Sequence, residues 1–565
     1  MNAQMYCSSM QSSGKRKLFS WVGMVTFFCL LAACPAPAVA LDCSPLENIP
    51  VQSDGRKKPF STFAAETLQG ICGKTTYPGV DRDGGASRPR PAIETVLSMA
   101  MDPETWKGRP VILINYKPLK QSLGLSQDRK LFSLDELKDN RAFYQATQIL
   151  QNAEMEAAKP SLTREQTELR SVCSRITRLE SVLNGSTLAL LPPAEGNAGW
   201  LTLDHAQEAF LGAKGEAVSL AAAEMSRAMK ADDGKLFLVA SKKLSAALAA
   251  LNPVAYPPAR LMKLETAYGK LHPFGWAWGL FVCASIILWL TTLWGRKKGY
   301  IVAWVFVSAG FLMMVSGFAC RVWIANRAPV TNMYESILWA ALGVVFFSMI
   351  MEAMYRCHYL FLSALPVAVV ALILADSQPA VFDASIRPLA PVLRDNFWLA
   401  THVTSITLGY AALALALGVG HIVLIKALFK RPVTAALTQY LYRSLQIGVM
   451  LLAIGTILGG IWANAAWGRF WGWDPKETWT LIALLCYIAL LHGRLAGWWQ
   501  GFGLAVGSIL AFQAVLMAWY GVNFILGEGL HSYGFGTGGF GYALAYVIAE
   551  AAFVAVAWKQ TRTAQ

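Results

Sequence analysis

Long apolar segments dominate the second half of the chain. After His272, nine such runs alternate with short polar stretches: 275–294, 300–322, 334–354, 359–375, 397–426, 441–463, 476–494, 501–524 and 541–558. A helix needs about 20 predominantly apolar residues to cross a bilayer, and all but the short run 359–375 come near that length. The pattern predicts an all-α polytopic membrane protein with about nine transmembrane helices.

Residues 41–270 have a different pattern, with the mixed polarity of a soluble domain. The first part is rich in Gly and Pro and predicts irregular structure. Farther on, six apolar residues repeat at spacings of 7, 3, 4, 3 and 4: Leu162, Leu169, Val172, Ile176, Leu179 and Leu183. This spacing places them on one face of a helix, bounded by Pro160-Ser161 and Asn184-Gly185. A second helical stretch runs from about Leu203 to Leu251, so we expect a helix-rich domain.

The first 40 residues are typical of an export signal. Lys15, Arg16 and Lys17 precede an apolar run that ends at Ala33, and small residues follow up to Ala40. Three alternatives stay open: a signal peptide cut after Ala40, a bacterial lipoprotein signal at Leu31-Ala32-Ala33-Cys34, or an uncleaved anchor. Each places residue 41 outside the cytoplasm. We therefore expect a signal or anchor at 1–40, an exported (periplasmic) soluble domain at 41–270 and a polytopic membrane domain at 271–565.

Composition agrees with a membrane protein and gives its orientation. The chain is 55% hydrophobic, has a mean hydropathy of +0.40 and is only 15% charged, against about 25% in soluble proteins. Its net charge of +14 does not indicate a nucleic-acid partner, because the excess lies mainly in short loops between spans. If the first run crosses inward, the inner loops hold 11 Lys and Arg and the outer loops hold 6.

The ten cysteines include no C-x-x-C pair, so neither a zinc site nor a dithiol motif is indicated.

The loop 467–479 reads W-G-R-F-W-G-W-D-P-K-E-T-W, and this orientation places it outside. Asp474, Pro475 and Glu477 suit a helix start with a capping box. That start does not explain the four tryptophans of the loop: Trp467, Trp471, Trp473 and Trp479. Tryptophan favours the lipid headgroup region, but an interfacial belt does not need a short cluster spaced by glycines. Such a cluster makes a flat apolar surface, which suits a large planar ligand.

Two of the seven histidines lie on the same side as the tryptophan loop. His402 lies near the outer start of run 397–426, and His531 lies in the outer loop 525–540. Neutral imidazole is a favoured iron ligand, and an apolar surface between two imidazoles suits bis-histidine haem. A structural role is the alternative for each. His492 lies near the inner end of run 476–494, roughly 27 Å from Asp474 at 1.5 Å per helical residue. One haem cannot contact both ends, so His492 is either unrelated to haem or belongs to a second, inner site.

These segments resemble known haem-handling membrane proteins. The tryptophan loop is similar to the WWD signature of cytochrome c biogenesis. Within that superfamily, Thr331–Ser336, His402 with Tyr410-Ala411-Ala412, and Leu530–Phe535 resemble the CcsA family, over about 300–558. CcsA is the haem-carrying subunit of the two-component (System II) cytochrome c synthase. The segment I-P-V-Q-S-D-G-R-K-K-P-F at 49–60 is similar to the exported extension of some longer or fused synthases.

The resemblance implies a role for each candidate residue. His402 and His531 would be the outward-facing axial ligands of haem b, and His492 a ligand within the membrane. Trp467, Trp471, Trp473, Asp474 and Trp479 would form the haem-contacting loop. His358 and His421 match no ligand position of the family. Arg469 and Lys476 would face either haem propionates or lipid headgroups.

The resemblance also implies partners and a location. The partners would be a CcsB (ResB-like) membrane subunit, apocytochrome c with its C-x-x-C-H motif and a thioredoxin-like reductant. The location would be the bacterial cytoplasmic (inner) membrane. The expected function is haem export and presentation for thioether attachment, as a subunit of holocytochrome c synthase (haem lyase). A haem chaperone without ligation activity and an unrelated small-molecule transporter are the alternatives.

Overall fold

The computed structural model describes residues 41–79, 88–156, 162–194, 199–210, 212–294, 297–378, 381–389, 396–526 and 539–562. The predicted signal or anchor at 1–40 and the candidate ligand His531 lie outside the described residues.

Eleven α-helices and four two-stranded antiparallel sheets precede the membrane bundle in the described part of the chain. The helices are Phe60–Cys72, Ala92–Met101, Pro103–Lys107, Lys117–Ser122, Leu134–Lys138, Arg141–Glu156, Arg164–Leu183, Ala206–Ala209, Ala213–Lys230, Gly234–Leu251 and Ala259–Leu271. The paired strands are Pro50–Ser53 with Arg56–Pro59, Thr76–Tyr77 with Arg90–Pro91, Ile112–Leu113 with Leu131–Phe132, and Ala189–Leu191 with Leu201–Thr202. Buried apolar side chains from Leu41 to Leu251 form one continuous core.

Local sequence signals place the helices of this N-terminal region. The predicted helix near 162–183 is confirmed as Arg164–Leu183, and Thr163 with Gln166 forms its capping box. The stretch from Leu203 to Leu251 contains two long helices, Ala213–Lys230 and Gly234–Leu251, because Asp233 caps a new helix start. The segment expected to be irregular is more ordered than predicted, since Phe60–Cys72 and Ala92–Met101 bury apolar faces there.

Nine helices in the described residues are long and apolar enough to cross a membrane, which confirms the predicted all-α polytopic fold. We number them first to ninth span along the chain: Pro273–Trp294, Lys297–Ala325, Met333–Tyr355, Tyr359–Ser377, Leu399–Leu428, Ala435–Trp467, Pro475–Leu495, Gly501–Leu526 and Phe540–Arg562. The fifth span is the most enclosed by its neighbours. Because successive spans alternate in direction, the loops after the second, fourth, sixth and eighth spans share one end of the bundle. We call it the tryptophan-loop end.

A buried ion pair holds the tryptophan-loop end together. Arg321, at the end of the second span, and Glu335, at the start of the third, are both 1% exposed, and Arg321 Nη2 lies 2.7 Å from Glu335 Oε1. The other Glu335 oxygen accepts from the backbone N–H and the hydroxyl of Thr331, at 2.9 and 2.7 Å. Asn332 caps the third span by accepting from the Glu335 N–H at 2.8 Å. These bonds explain why Thr331-Asn332 and Glu335 occur together in the sequence.

The N-terminal region contacts this end of the bundle through its first strand pair. Arg56 pairs with Glu265 at 2.6 and 2.9 Å, which ties the hairpin Pro50–Pro59 to helix Ala259–Leu271. Arg56 Nε also donates to the carbonyl oxygen of Ile386 at 2.7 Å. Ile386 lies in the loop after the fourth span, so one side chain of the N-terminal region contacts a loop at the tryptophan-loop end.

Candidate functional site

A cavity of about 630 Å³ opens at the tryptophan-loop end of the bundle. Its lining comes from the loops before the third span and after the fourth, the start of the fifth, the end of the sixth, the start of the seventh and the end of the eighth. Ligand sites for small molecules and cofactors occupy roughly 300–1,000 Å³ and combine apolar walls with a few polar groups. The size and mixed lining of this cavity fit that class of site.

His402 lies in the wall of this cavity, on a short π-helical segment, Leu399–Val403, that begins the fifth span. Its Nδ1 lies 2.8 Å from the carbonyl oxygen of Gly455 in the sixth span. A carbonyl can only accept, so Nδ1 carries the proton and the lone pair of the neutral ring is on Nε2. Metal-binding histidines commonly have their second nitrogen fixed in this way.

Glycines of the sixth span make room for His402 and for the tryptophan loop. A Cβ on Gly459 would lie 2.6 Å from Cε1 of His402, and a Cβ on Gly460 would lie 2.6 Å from the ring of Phe470. Real Cβ atoms essentially never come within 3.0 Å of such neighbours. Both glycines therefore permit close contacts that any other residue would disturb.

The start of the seventh span has the predicted capping box. The Asp474 carboxylate accepts from the N–H of Lys476 at 3.1 Å, and the Glu477 carboxylate accepts from the N–H of Asp474 at 3.2 Å. Glu477 also accepts from the N–H of Gly472 at 2.7 Å, which folds the loop back on the helix. Asp474 is 6% exposed and does not line the cavity. Its contacts are those of a residue that shapes the loop.

The four tryptophans of the loop do not lie in one plane. The rings of Trp471 and Trp473 are 6.1 Å apart and inclined at 86°, and only Trp471 lines the cavity. Trp473 is 70% exposed and has a left-handed backbone, with φ at 56°. Trp467 lies beside the guanidinium of Arg469 at 5.9 Å, and Trp479 is half-buried away from the cavity. One flat surface made of all four rings is therefore not what the structure shows.

A tryptophan from outside the loop forms another wall of the cavity. Trp519 lies in a π-helical segment, Met517–Leu526, at the end of the eighth span. Its indole N–H donates to the Ser336 hydroxyl at 2.9 Å, and its ring stacks on Phe382 at 6.3 Å with a 22° angle between the planes. π-helical turns often mark functional sites, and two spans adopt them where they reach this cavity.

Three buried polar atoms around the cavity have no hydrogen-bond partner among the described residues. They are Nε of Arg327, Nε1 of Trp471 and Oε1 of Glu477. Buried polar groups in folded proteins are nearly always hydrogen-bonded, so such a cluster needs an explanation. A ligand with an apolar body and hydrogen-bond acceptors would account for the two donors, Nε of Arg327 and Nε1 of Trp471. Haem, a planar apolar ring with two carboxylates, fits the size, the lining and the His402 imidazole.

The sequence suggested Arg469 and Lys476 as cations near a ligand, and the cations that line the cavity are partly different. Lys476 lines it, but Arg469 does not, since its guanidinium lies over the Trp467 ring. Arg327, from the loop before the third span, and Arg387, from the loop after the fourth, also line it.

Among the described residues of the bundle, the other histidines lie apart from the cavity. His492 is exposed on the surface of the seventh span, and its Nδ1 lies 2.9 Å from the carbonyl oxygen of Ile488. His421 has structural partners, the Leu417 carbonyl at 2.8 Å and the Glu550 carboxylate at 3.0 Å. His358 lies in the turn between the third and fourth spans, beside the ring of Tyr300. The structure thus brings His402 and Trp471 together in one cavity and leaves His492 at the opposite end of the bundle.

Several cavity residues were not found from the sequence. Arg327, Arg387, Gly459 and Trp519 carry no motif of their own, and Phe470 lies in the tryptophan loop, where the sequence indicated only its neighbours. The pair Gly459-Gly460 inside an apolar run was an available signal, because glycine within a helix indicates close packing.

Comparisons with known proteins place the bundle in a class. A family described as cytochrome C assembly protein matches residues 330–531, a segment that contains His402, the tryptophan loop and His492. The chain is 32% identical over 260 residues to the cytochrome c biogenesis protein CcsA of Synechococcus sp. (strain CC9902), covering 40% of this chain and 85% of that protein. It is 33% identical over 264 residues to CcsA of Prochlorococcus marinus (strain NATL1A), covering 40% and 83%.

A longer relative extends the similarity beyond the bundle. Protein NrfI of Wolinella succinogenes is 27% identical over 504 residues, which cover 85% of this chain and 53% of that protein. The chain therefore spans about half the length of NrfI. A solved structure of cytochrome c heme lyase CcmF overlaps 52% of this chain and 50% of its own at a TM-score of 0.38 and 16% identity, which is too distant to add to the assignment.

The fold and these similarities define a multi-pass membrane protein of cytochrome c assembly. The chain belongs to the CcsA family of cytochrome c biogenesis proteins, which confirms the resemblance found in its sequence. Haem handling follows at the level of the family.

Proposed function

We propose that this chain receives haem and presents it at the outer face of the bacterial cytoplasmic membrane, where it supports thioether attachment to apocytochrome c. The observation that carries the proposal is the cavity beside the tryptophan loop. His402 has its lone pair on Nε2 there, and Trp471 supplies apolar surface with a buried, unpartnered N–H. An imidazole and an aromatic wall are what a protein needs to hold haem by its iron and its ring face.

His531 is the proposed second axial ligand. Phe524, seven positions before it in the sequence, lines the cavity, and Gly539 after it approaches the hydroxyl of Tyr520 in the same span. The described residues nearest to it in the sequence on either side thus lie at the cavity wall and beside the eighth span. These flanking residues support a role of His531 at the cavity, and the sequence L-H-S-Y-G supports it through the family resemblance.

His492 is the proposed ligand of a second haem position within the membrane. It is exposed on a bundle surface, so a ligand bound there needs a second protein to enclose it. A CcsB (ResB-like) subunit would supply the opposing ligand. Haem would then pass from this inner position to the cavity, a distance of roughly 27 Å along the seventh span.

The proposed orientation rests on the distribution of positive charge. The loops at the end opposite the tryptophan loop hold most of the Lys and Arg of the bundle, as cytoplasmic loops do. The N-terminal region and the cavity then lie outside, where apocytochrome c is found. The thioredoxin-like reductant would act on the acceptor before attachment, by keeping both of its cysteines as thiols.

In the attachment step, the thiols and the vinyl groups belong to the two substrates. Each sulfur bonds to a vinyl carbon and its hydrogen goes to the other, so the addition needs no oxidant. The contribution of this chain is positional: His402 would hold the iron, Trp471 and Trp519 would fix the ring plane, and the cavity would limit access of water. Release of the product would follow when the histidine of the C-x-x-C-H motif replaces an axial ligand.

Co-expression tests the proposal. The full chain and its CcsB-like partner are produced with an apocytochrome c in a host that lacks its own maturation system. Covalently attached haem is then measured after denaturing electrophoresis. We expect attachment with wild type and none with the His402→Gly, His531→Gly double variant. Haem that copurifies without any attachment would indicate the chaperone alternative, and absence of haem from the purified complex would indicate a transporter of something else.

A further inference from the structure

We propose that Arg327 and Arg387 bind the two carboxylates of the haem substrate, and that the N-terminal region sets the position of Arg387 through Arg56. This inference rests on the proposed function and names the part of the cavity that recognises the charged edge of the substrate. The hydrogen bond from Arg56 to the Ile386 carbonyl would then help to position a substrate-binding residue.

Arg327 is a cation of the cavity whose guanidinium forms no ion pair with a described carboxylate. It is half-buried, its Nη2 donates to the Thr331 hydroxyl at 3.3 Å, and its Nε has no partner among the described residues. No described carboxylate lies within 4.0 Å of it. The nearby Glu335 is already bound by Arg321 and Thr331. A half-buried guanidinium with unused donors favours an anionic partner, and its planar fork matches a carboxylate.

Arg387 faces the same cavity from the neighbouring loop. Its Nη2 lies 2.8 Å from Asp383, and its Nε donates to Ser385 at 3.0 Å. Both members of this ion pair are about half exposed, with 59% and 50% of their side-chain surface accessible, and such pairs contribute little. An incoming carboxylate can therefore use the remaining donors of the guanidinium, which has five N–H groups in all.

Three hydrogen bonds fix the backbone of the loop that carries Arg387. Asn332 donates to the carbonyl of Asp383 at 3.3 Å, and Arg321 donates to the carbonyl of Ala384 at 3.0 Å. The third donor, Arg56, bonds to the carbonyl of Ile386 at 2.7 Å, next to Arg387 itself. The first bond also joins this loop to the loop of Arg327, so the two cations come from adjacent segments.

Arg56 is well suited to hold the loop because its own position is fixed. Both terminal nitrogens of its guanidinium bind Glu265, which is 3% exposed, and this leaves Nε for the Ile386 carbonyl. The adjoining Gly55 lies against Pro388 of the same loop, where a Cβ would come within 3.0 Å of Cγ. The hairpin of the N-terminal region therefore touches the loop on both sides of Arg387.

The remaining charged residues of the cavity are less suited to this task. Lys476 also lines the cavity, but its ammonium lacks the planar fork of a guanidinium, and it lies between two acidic residues, Asp474 and Glu477, in the sequence. Glu477 is acidic and would repel a carboxylate that came near it. Arg469, which the sequence suggested, does not line the cavity.

Two ligands that differ only in their carboxylates test the proposal: haem and haem dimethyl ester, in which both carboxylates are esterified. Each is titrated by absorbance into the purified, haem-depleted complex of the full chain with its partner subunit. Wild type should bind haem more tightly than the ester. Arg327→Gln and Arg387→Gln should each reduce this preference by about tenfold, by weakening haem binding and leaving the ester unchanged. Arg327→Lys retains the charge and should keep part of the preference.

Arg56 has a matched control in the same hairpin. The Lys57 ammonium donates to the carbonyl of Ala255 and lies over the ring of Trp200, both in the N-terminal region, so Lys57→Gln should leave both affinities unchanged. Arg56→Gln should reduce the preference as Arg387→Gln does, and the double variant should lose no more than either alone. Equal loss of haem and ester in the arginine variants, or loss of the preference in Arg469→Gln instead, would overturn the proposal. Wild type that binds neither ligand would overturn the proposed function itself.

Discussion

Nδ1 of His402 lies 2.8 Å from the carbonyl oxygen of Gly455, and four residues later Gly459 leaves space for the same imidazole. One turn of the sixth span thus fixes both the tautomer and the position of a side chain on the fifth. The pairing needs glycine at 459, because a methyl group there would occupy the place of the ring.

Removal of the imidazole should remove the haem. We expect His402→Gly to abolish cytochrome c maturation, because the iron loses an axial ligand on the cavity side. Added imidazole should restore part of it by occupying the vacated position. Covalent haem in a co-expressed cytochrome c, with and without imidazole, measures the effect. Full maturation in a His402→Ala, His531→Ala double variant would contradict the assignment of both ligands.

A methyl group at Gly459 should displace His402 without removing it. Gly459→Ala should lower haem content severalfold, since its Cβ would lie 2.6 Å from Cε1 of the imidazole. Gly279→Ala in the first span is a matched control, because a Cβ there meets nothing within 4 Å. The haem-to-protein ratio of the purified complex distinguishes the two. If both variants keep the wild-type haem-to-protein ratio, the His402 imidazole can bind haem from another position.

Trp471 and Trp473 should contribute unequally. Burial of a large apolar side chain is worth about 1.5–3 kcal/mol, so Trp471→Ala should weaken haem binding by roughly 10- to 150-fold. Trp473 is 70% exposed and lines no part of the cavity, so Trp473→Ala should have a much smaller effect. Titration of haem into each purified variant checks that Trp471→Ala loses more haem affinity than Trp473→Ala. Equal losses would mean that Trp473 covers the ligand after it binds, and no loss in either would favour an interfacial role for the loop.

The fold was largely accessible from the sequence, because each span is an apolar run of sufficient length and each boundary has a local signal. The capping box at Asp474 and Glu477 and the helix after Thr163 were predicted for the same reason. Cavity residues were harder to find. Trp519 reads as one aromatic among many in an apolar span, and its role depends on a bond to Ser336, 183 residues away. The proposed role of Arg387 depends on the bond from Arg56 to the carbonyl of Ile386, 330 positions later in the sequence. Local pattern does not encode such pairings.

The predicted surface of four tryptophans shows a second limit of local pattern. Spacing predicts that side chains are near one another, but it does not fix the direction of each ring. The backbone at Trp473 is left-handed, and its ring is nearly perpendicular to that of Trp471. The haem-binding roles of the four tryptophans of the loop stay predictions.

The pair Arg321–Glu335 should be essential for stability. Loss of one partner leaves the other charge buried, at a cost of about 3–5 kcal/mol. We expect Glu335→Gln to lower the thermal unfolding midpoint of the purified protein and to reduce its amount in the membrane. The exposed pair of Glu104 and Lys107 is the control, since Glu104→Gln should change stability by less than about 1 kcal/mol. A Glu335→Gln midpoint equal to that of wild type would show that water or lipid headgroups already screen the pair.

His492 tests whether haem reaches the cavity from the opposite end of the bundle. His492 is exposed on the seventh span. Placing an ionisable side chain within a membrane span costs free energy, so a residue of this kind is a candidate for a functional role. If it receives haem from the cytoplasmic side, His492→Ala should deplete haem at the outer site although His402 and Trp471 are intact. The haem-to-protein ratio of the purified complex, with protein amount fixed by immunoblot, measures this. Leu495→Ala is the control, because Leu495 is 73% exposed near the same end of the span and has no titratable group.

The His492 prediction also concerns the partner subunit. Since His492 lies on an open surface of this chain, haem at the inner position should require co-expression of the CcsB-like subunit, which would supply the opposing ligand. The chain alone should then carry little haem, and the complex should carry more. A purely structural histidine would reduce protein level and haem together and leave their ratio unchanged. A wild-type ratio in the His492→Ala complex would refute transfer through this residue, and haem would have to enter the cavity directly from the outer side.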